Sequence, residues 1–176
     1  FIDFLSASGH KWLLGLHGTS GFYCRGDLLD CLAIREAGWK SVRRHENPLR
    51  YDLTPLPTAK RFEGGSENLM GIVGFDAAVK LLLEVGMASI QERVKDLTDR
   101  IVEGLEKRRY TLLSPRGPGE WSGIVCFQHP EIPLEEIGKR LKNAGVEVKV
   151  RMDHIRVSPH FYNTAEEVET FLSALS

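Results

Sequence analysis

The residues best suited to chemistry lie near the start of the sequence, around one lysine. Lys11 follows His10, with Ser8 just before, and it precedes the apolar run at 12–14. A lysine amine attacks a carbonyl only when it is uncharged, and desolvation by apolar neighbours favours that state. Nearby glycines and hydroxyls can place N–H groups and oxygens around a phosphate. The segment predicts a Schiff-base lysine beside a phosphate, as pyridoxal phosphate requires, although a surface lysine beside a turn has the same composition.

A second candidate segment runs from Lys60 to Asn68 and reads KRFEGGSEN, before apolar residues at helical spacing. Ser66 occupies a position typical of a helix N-cap, so the positive end of the helix would point at whatever precedes it. A phosphate binds well at such a helix end. A capped helix after a Gly-Gly turn, with no ligand, is the simpler interpretation.

A third candidate is Arg156, which lies between Ile155 and Val157. The alternation predicts a strand on which the arginine projects to the face opposite both neighbours. A planar guanidinium can hold a carboxylate through two parallel hydrogen bonds. A strand arginine that simply reaches solvent has the same pattern, so the residues leave both interpretations open.

Composition argues against several classes of partner. Lys and Arg number 23 against 24 Asp and Glu, which leaves no net field to attract nucleic acid or an anionic membrane. No apolar run is long enough to span a membrane. The three cysteines at 24, 31 and 126 are widely spaced and lack a CxxC, which predicts buried apolar residues rather than a disulfide framework or a metal site. We expect a cytoplasmic protein.

The elements that must position the candidates follow from hydrophobic spacing. Apolar segments at 1–5 and 20–25 predict two strands of a buried sheet on either side of the lysine loop. Residues 25–58 predict a long irregular connection. Residues 89–109 predict one amphipathic helix, opened by a capping box at Ser89 and Glu92.

The remainder predicts a compact α+β unit in which two helices cover one face of an antiparallel sheet. Its strands are expected near 110–113, 123–128, 146–150 and 154–158. One helix is expected from Pro133 to Ala144, stopped by Gly145. The last helix opens with a second capping box at Thr164 and Glu167.

Together the three motifs resemble one family. SGHKWLLG at 8–15, with GTSGFYCR at 18–25, is similar to the cofactor-lysine segment of class V aminotransferases. These are fold-type-I pyridoxal phosphate enzymes and include cysteine desulfurases and isopenicillin N epimerase-like proteins. RFEGGSEN resembles the family's RFE-x-G-T-x-N segment, with Ser66 in place of threonine. IRVSPHFYNT at 155–164 resembles its carboxy-terminal RxSxxxYNT segment.

The resemblance implies an α/β fold with the end of a large pyridoxal phosphate-binding domain at 1–88. A connecting helix at 89–109 and a small α+β carboxy-terminal domain at 110–176 would follow. By the same resemblance, Lys11 would hold pyridoxal phosphate, and Ser8 and His10 would help fix the phosphate and the lysine. His10 is equally well explained as a packing residue.

The resemblance also implies a homodimer and a substrate class. Gly65 and Ser66 would reach the cofactor phosphate of the other subunit, so that the site is shared across the interface. Arg156 would bind the α-carboxylate of a small amino acid substrate.

Departures from the family pattern narrow the expected reaction. Gly15-Leu16-His17 replaces the Gly-Pro that commonly follows the lysine. Desulfurases of the family carry a mobile cysteine shortly before the arginine, and residues 150–155 contain none. Persulfide chemistry is therefore disfavoured, which leaves an aminotransferase, an epimerase or a lyase.

The family's pattern also bears on activity. Its members supply residues that contact the cofactor ring from segments upstream of the lysine. The resemblance thus implies a carboxy-terminal fragment that is inactive alone. The competing hypothesis is a non-catalytic α/β dimerisation module, although such a relative should have lost Lys11 or Arg156.

Overall fold

The computed structural model describes residues 2–43, 47, 49 and 52–176. It forms two compact units, Phe1–Glu84 and Val85–Ser176. The sequence places the corresponding boundary at 88/89, a few residues later. That the units form parts of a large and a small family domain stays a prediction.

The first unit opens with an antiparallel hairpin made of β1 (Phe4–Ser8) and β2 (Ser20–Cys24). Both predicted strands exist, but β1 lies three residues later than expected. Its register pairs Phe4 with Cys24 and Ser8 with Ser20. The expectation of a buried sheet is wrong for this chain, since most residues of both strands are exposed. A two-stranded ribbon offers little surface for burial within its own unit.

The connection after the hairpin is irregular where it is described, as predicted. It contains 3₁₀ helices at Gly26–Cys31 and Ala59–Phe62 and a single β-bridge between Val42 and Pro55. Arg44 and Pro48, which contribute to that prediction, lie outside the described residues.

Helix α1 spans Leu69–Val85 and is capped by Asn68 rather than by Ser66. The Gly71 N–H donates to Asn68 Oδ1 at 3.0 Å, and the Ile72 N–H donates to the Asn68 carbonyl at 2.9 Å. The predicted Ser66 cap is therefore wrong by two residues. Asn competes well with Ser for the N-cap because its side-chain oxygen reaches the same orphan N–H groups.

Much of the apolar surface of α1 is exposed within its unit. Leu69, Met70, Val73 and Leu83 are all more than half exposed. Only Gly71 and Leu82 are buried among the helix residues. The apolar spacing therefore predicts the helix correctly. Most of the apolar side chains, however, do not pack into a core within the described chain.

The second unit begins with α2 (Met87–Lys107), two residues earlier than predicted. Its N-cap is Gly86, with φ at 87°, so Ser89 lies inside the first turn and the predicted capping box does not form. The predicted amphipathic pattern is confirmed, because the apolar residues spaced three or four apart along this helix are buried: Ile90, Val94, Leu97, Ile101 and Leu105.

The predicted α+β arrangement of the carboxy-terminal part is confirmed. The strands are β3 (Thr111–Leu112), β4 (Val125–Gln128), β5 (Lys149–Val150) and β6 (Ile155–Val157). They pair antiparallel in the order β3-β4-β6-β5. The helices α3 (Leu134–Asn143) and α4 (Ala165–Ser173) follow β4 and β6.

The signals that bound these helices act as expected. Pro133 immediately precedes α3, and Gly145 follows it with φ at 74°. Thr164 and Glu167 form the predicted capping box at the start of α4.

One face of this sheet packs against the helices to form the core of the second unit. Phe127 and Ile155 are fully buried on that face, with Val125 beside them. Strand alternation therefore turns Cys126 and Arg156 to the opposite face. No helix in the described ranges is long and apolar enough to cross a membrane.

We expect Leu97→Ala to destabilise the second unit by about 3 kcal/mol, because it removes a fully buried side chain from the core. Leu113→Ala is the matched control, since Leu113 lies in the same unit and is 44% exposed. It should lower the free energy of unfolding by well under about 1 kcal/mol, as is usual for substitutions of exposed residues. Urea unfolding of both variants checks the difference, and equal losses would contradict this placement of the core.

The α4 capping box should make stability depend on pH. The Thr164 N–H donates to Glu167 Oε2 at 2.8 Å and Asn163 Nδ2 donates at 3.1 Å, which together hold the pKa of Glu167 below its usual range. A lowered folded-state pKa adds stability above the unfolded pKa, and that stability is lost as the pH falls through the folded value. The stability of the wild type relative to Glu167→Gln should therefore decline as the pH drops below about 4.

Urea unfolding between neutral and acidic pH measures this decline. Glu169→Gln is the matched control for removing one charge from α4, because Glu169 is exposed and lies outside the capping box. Parallel pH curves for the wild type and Glu167→Gln would contradict the prediction.

Candidate functional site

The loop that carries Lys11 is closed by backbone hydrogen bonds between residues that flank it. The Gly9 N–H donates to the Thr19 carbonyl at 2.9 Å, and the Gly15 N–H donates to the Gly9 carbonyl at 2.7 Å. Within the loop, the Leu14 N–H donates to the Lys11 carbonyl at 3.0 Å. Lys11 therefore lies in a tight turn directly after β1.

This closure leaves little room for a side chain at two glycines. A Cβ on Gly9 would lie 2.5 Å from Thr19 Oγ1, and one on Gly15 would lie 2.7 Å from Phe75 Cδ2. Leu14 adopts a left-handed φ of 55°, which is uncommon for a residue with a bulky side chain. Such strain persists only where surrounding structure fixes the backbone, and it clusters at functional sites.

The side chains of the loop differ in environment from the prediction. Lys11 is exposed, and Trp12 is exposed as well. The expected desolvation of Lys11 by its apolar neighbours is therefore not found in the described chain. His10 stacks on His17 with ring centroids 4.2 Å apart, an arrangement that sequence spacing did not indicate.

The lysine loop rests on the first turns of α1. Asn68 caps the helix through Oδ1, while its Nδ2 lies 3.5 Å from the Gly18 carbonyl. A Cβ on Gly71 would lie 2.6 Å from Thr19 Cγ2, and Phe75 lies against Gly9. The structure thus brings Ser8, at the end of β1, and the loop that carries His10 and Lys11 onto the helix that follows Gly65 and Ser66.

The segment before α1 is anchored by Arg61, a residue to which the sequence motifs assigned no role of its own. Its side chain is buried, with Nε donating to the Leu56 carbonyl at 2.6 Å and Nη1 donating to Asp30 Oδ1 at 2.9 Å. A buried guanidinium needs such partners, because an unpaired one would be costly. Arg61 therefore ties three separate stretches of the first unit together.

Further contacts fix the residues that flank Gly65 and Ser66. Lys40 forms an ion pair with Glu67, and this hydrogen bond holds the pKa of Glu67 below its usual range. Gly65 is half-buried, and Ser66 is exposed. The loop at 63–67 is held at both ends by these contacts and by the hydrogen bond between Ser41 and Glu63, while Ser66 stays exposed.

Arg156 lies in the second unit, in the middle of β6, half-buried and opposite Cys126 and Lys149. Among the residues that the structure describes, its guanidinium forms no ion pair. The strand prediction and the predicted orientation away from Ile155 are confirmed. A guanidinium on a sheet face beside a lysine is suited to an anionic ligand.

The turn between β5 and β6 is short. Val150 pairs with Ile155, and the Arg151 N–H donates to the His154 carbonyl at 2.8 Å. Met152 projects fully into solvent at the tip. The four residues of this turn include no cysteine.

All three cysteines are free thiols. Cys24 is buried and Cys126 is half-buried. The expectation of burial is wrong for Cys31, which is exposed at the end of a 3₁₀ helix. No cluster of metal-binding side chains occurs among residues 2–43, 47, 49 and 52–176.

Comparison with known proteins bears on this arrangement. The model of the aminotransferase class-V family matches residues 1–171. A probable cysteine desulfurase of Pyrococcus abyssi is 30% identical over 188 residues, which cover 98% of this chain and 46% of that protein. The uncharacterized aminotransferase YcbU of Bacillus subtilis is 29% identical over 167 residues, which cover 95% of this chain and 43% of that protein.

Solved structures agree in fold. The cystine C–S lyase C-DES, in complex with its reaction product cysteine persulfide, matches with a TM-score of 0.84 and 25% identity. A lysine-to-alanine variant of C-DES, with glycine covalently linked to its pyridoxal phosphate cofactor, matches with a TM-score of 0.77 and 26% identity. Each alignment covers 99% of this chain and 46% of that one.

The hairpin with its lysine loop, followed by a long helix and a small α+β unit, is the α/β fold of the fold-type-I pyridoxal phosphate enzymes, as predicted. The chain belongs to the class V aminotransferase family. It spans about half the length of the curated relatives it matches.

Proposed function

We propose that the chain is the carboxy-terminal part of a pyridoxal phosphate-dependent enzyme that acts on a small amino acid. The observation that carries this proposal is the position of Lys11, an exposed amine in a turn closed by Gly9 and Gly15. A turn that fixes the backbone of an accessible lysine suits covalent attachment of a carbonyl cofactor through the lysine amine.

The residues around Lys11 fit such a cofactor in their chemistry. An exposed hydroxyl at Ser8 and the loop glycines suit a phosphate, and the amine suits an aldehyde. When bound, pyridoxal phosphate supplies an electron sink next to the α-carbon of the substrate. The named lyase relative, whose lysine-to-alanine variant carries glycine covalently linked to its pyridoxal phosphate, supports the choice of cofactor.

We assign the following roles to the residues of this chain. Lys11 would hold the cofactor through Nζ and would also move the α-proton of the substrate as a general base. Ser8 and His10 fix the phosphate and the lysine loop. Gly65 and Ser66 contact the cofactor phosphate of the partner subunit in a homodimer, and Arg156 holds the α-carboxylate.

The reaction we propose is a transamination, an epimerisation or an elimination rather than persulfide transfer to an enzyme cysteine. The tight β5–β6 turn offers neither a thiol nor the length of a mobile loop. Cys126 faces Arg156 from a paired strand, where a ladder position restricts its movement. The relatives named as an aminotransferase and as a C–S lyase support this group of reactions.

The proposal also includes the cellular compartment and a judgement on the competing hypothesis. Three free thiols, one of them exposed, support a reducing compartment such as the cytoplasm. The competing non-catalytic module is disfavoured because the chain keeps both Lys11 and Arg156.

Lys11 should be the residue that borohydride traps with pyridoxal phosphate. Reduction of the full-length gene product followed by peptide mapping should give a stable label confined to Lys11, and the 176-residue chain alone should label weakly. Lys11→Ala should abolish the label, whereas Lys80→Ala, a change of an exposed lysine in the same unit, should leave it intact. Diffuse labelling of the full-length protein would refute the cofactor assignment.

Arg156→Lys should weaken substrate binding more than turnover, because lysine keeps the charge but loses the bidentate geometry. We expect the KM for the amino acid to rise about tenfold or more, with a smaller change in kcat. Arg151→Lys, an exposed arginine on the same hairpin, is the matched control. An unchanged KM in Arg156→Lys would exclude Arg156 as the carboxylate ligand.

A further inference from the structure

The loop at 63–67 lies directly on a turn from the long irregular connection, formed by Gly38 to Ser41. A Cβ on Gly38 would lie 1.6 Å from the Gly64 carbonyl oxygen, so the two backbones meet without an intervening side chain. Only glycine fits such an approach. The turn and the loop therefore form one packed layer.

Ser41 joins the two segments through its hydroxyl. The residue is fully buried, and its Oγ accepts a hydrogen bond from the Gly38 N–H and donates one to the Glu63 carbonyl, both at 3.1 Å. A buried hydroxyl with both bonds satisfied fixes the geometry of the groups it joins. Its loss would leave an N–H and a carbonyl unpaired.

The turn is also held from its other side. The Leu56 N–H donates to the Ser41 carbonyl at 3.0 Å, and the Arg43 N–H donates to the Thr54 carbonyl at 2.8 Å. Arg61 binds the Leu56 carbonyl in turn. The strand-like stretch at 54–56 thus supports the turn at 38–41, and that turn supports the loop at 63–67.

We infer that Ser41 is a positioning residue for the cofactor phosphate, acting through the backbone at Glu63 to set the position of Ser66. This inference rests on the proposed function, since it assumes that Ser66 contacts a phosphate. It assigns a role to the irregular connection, which the sequence motifs do not cover.

A double-mutant cycle on the full-length gene product tests this role, with the dissociation constant of pyridoxal phosphate as the readout. Ser66→Ala should weaken cofactor binding about tenfold, the loss expected for one hydrogen bond to a charged group. Ser41→Ala should weaken it by a similar factor. The double variant should bind no more than about twofold worse than Ser66→Ala, because both changes remove the same contact.

Thr98→Ala is the matched control, because Thr98 is also fully buried and its Oγ1 donates to the Lys95 carbonyl at 3.0 Å in the other unit. It should lower the Tm without changing the cofactor affinity. If Ser41→Ala does not fold, Lys40→Gln gives a milder loosening of the same loop by breaking the pair with Glu67, and it should weaken binding about threefold.

The outcomes separate this inference from the proposed function. Unchanged cofactor affinity in Ser41→Ala, or in Lys40→Gln where that variant takes its place, would overturn the inference. An unchanged affinity in Ser66→Ala would also overturn it, as would fully multiplicative losses in the double variant. Failure of the wild type to bind pyridoxal phosphate or to label at Lys11 would instead overturn the proposed function.

Discussion

Close approach of backbone to backbone is the constraint on which the first unit depends. Gly9 lies against Thr19, and Gly38 lies against Gly64. The first contact closes the lysine loop, and the second joins two segments that are distant in the sequence. Because the hairpin offers little buried surface, these contacts and the hydrogen bonds around them hold the unit's loops in place. The second unit depends instead on side-chain packing, with Leu97 and Phe127 fully buried in its core.

This difference explains how much of the fold could be predicted from the sequence. In the second unit, helical and strand periodicity match the burial, so elements and core residues such as Ile101 and Phe171 follow from local patterns. The errors there concern ends of elements, as at Gly86, where a glycine rather than the Ser89 hydroxyl begins α2. Helix ends depend on single hydrogen bonds, which local patterns constrain weakly.

The sequence suggests candidate site residues, but it does not predict the contacts that hold their segments in place. The segment at 60–68 suggests a cap at Ser66, yet the hydrogen bond that forms belongs to Asn68. Arg61 carries no local signal of burial, because its partners Leu56 and Asp30 are brought to it by an irregular chain path. Ser41 is another such residue. Non-local contacts of this kind leave no periodic trace in the sequence.

The environments of Lys11 and Arg156 bear on how the proposed chemistry could be completed. Lys11 is fixed in its backbone but exposed in its side chain, whereas an amine that attacks a carbonyl needs to lose its charge. The exposed apolar side chains of α1, such as Met70 and Leu83, show that this unit leaves apolar surface uncovered within the described chain. Covering surface near the lysine loop would exclude water and favour the neutral amine. Arg156 differs from Lys11 because its strand position is already set by pairing with Cys126 and Lys149. The role that we propose for it, binding a carboxylate, therefore requires no further ordering of its own strand.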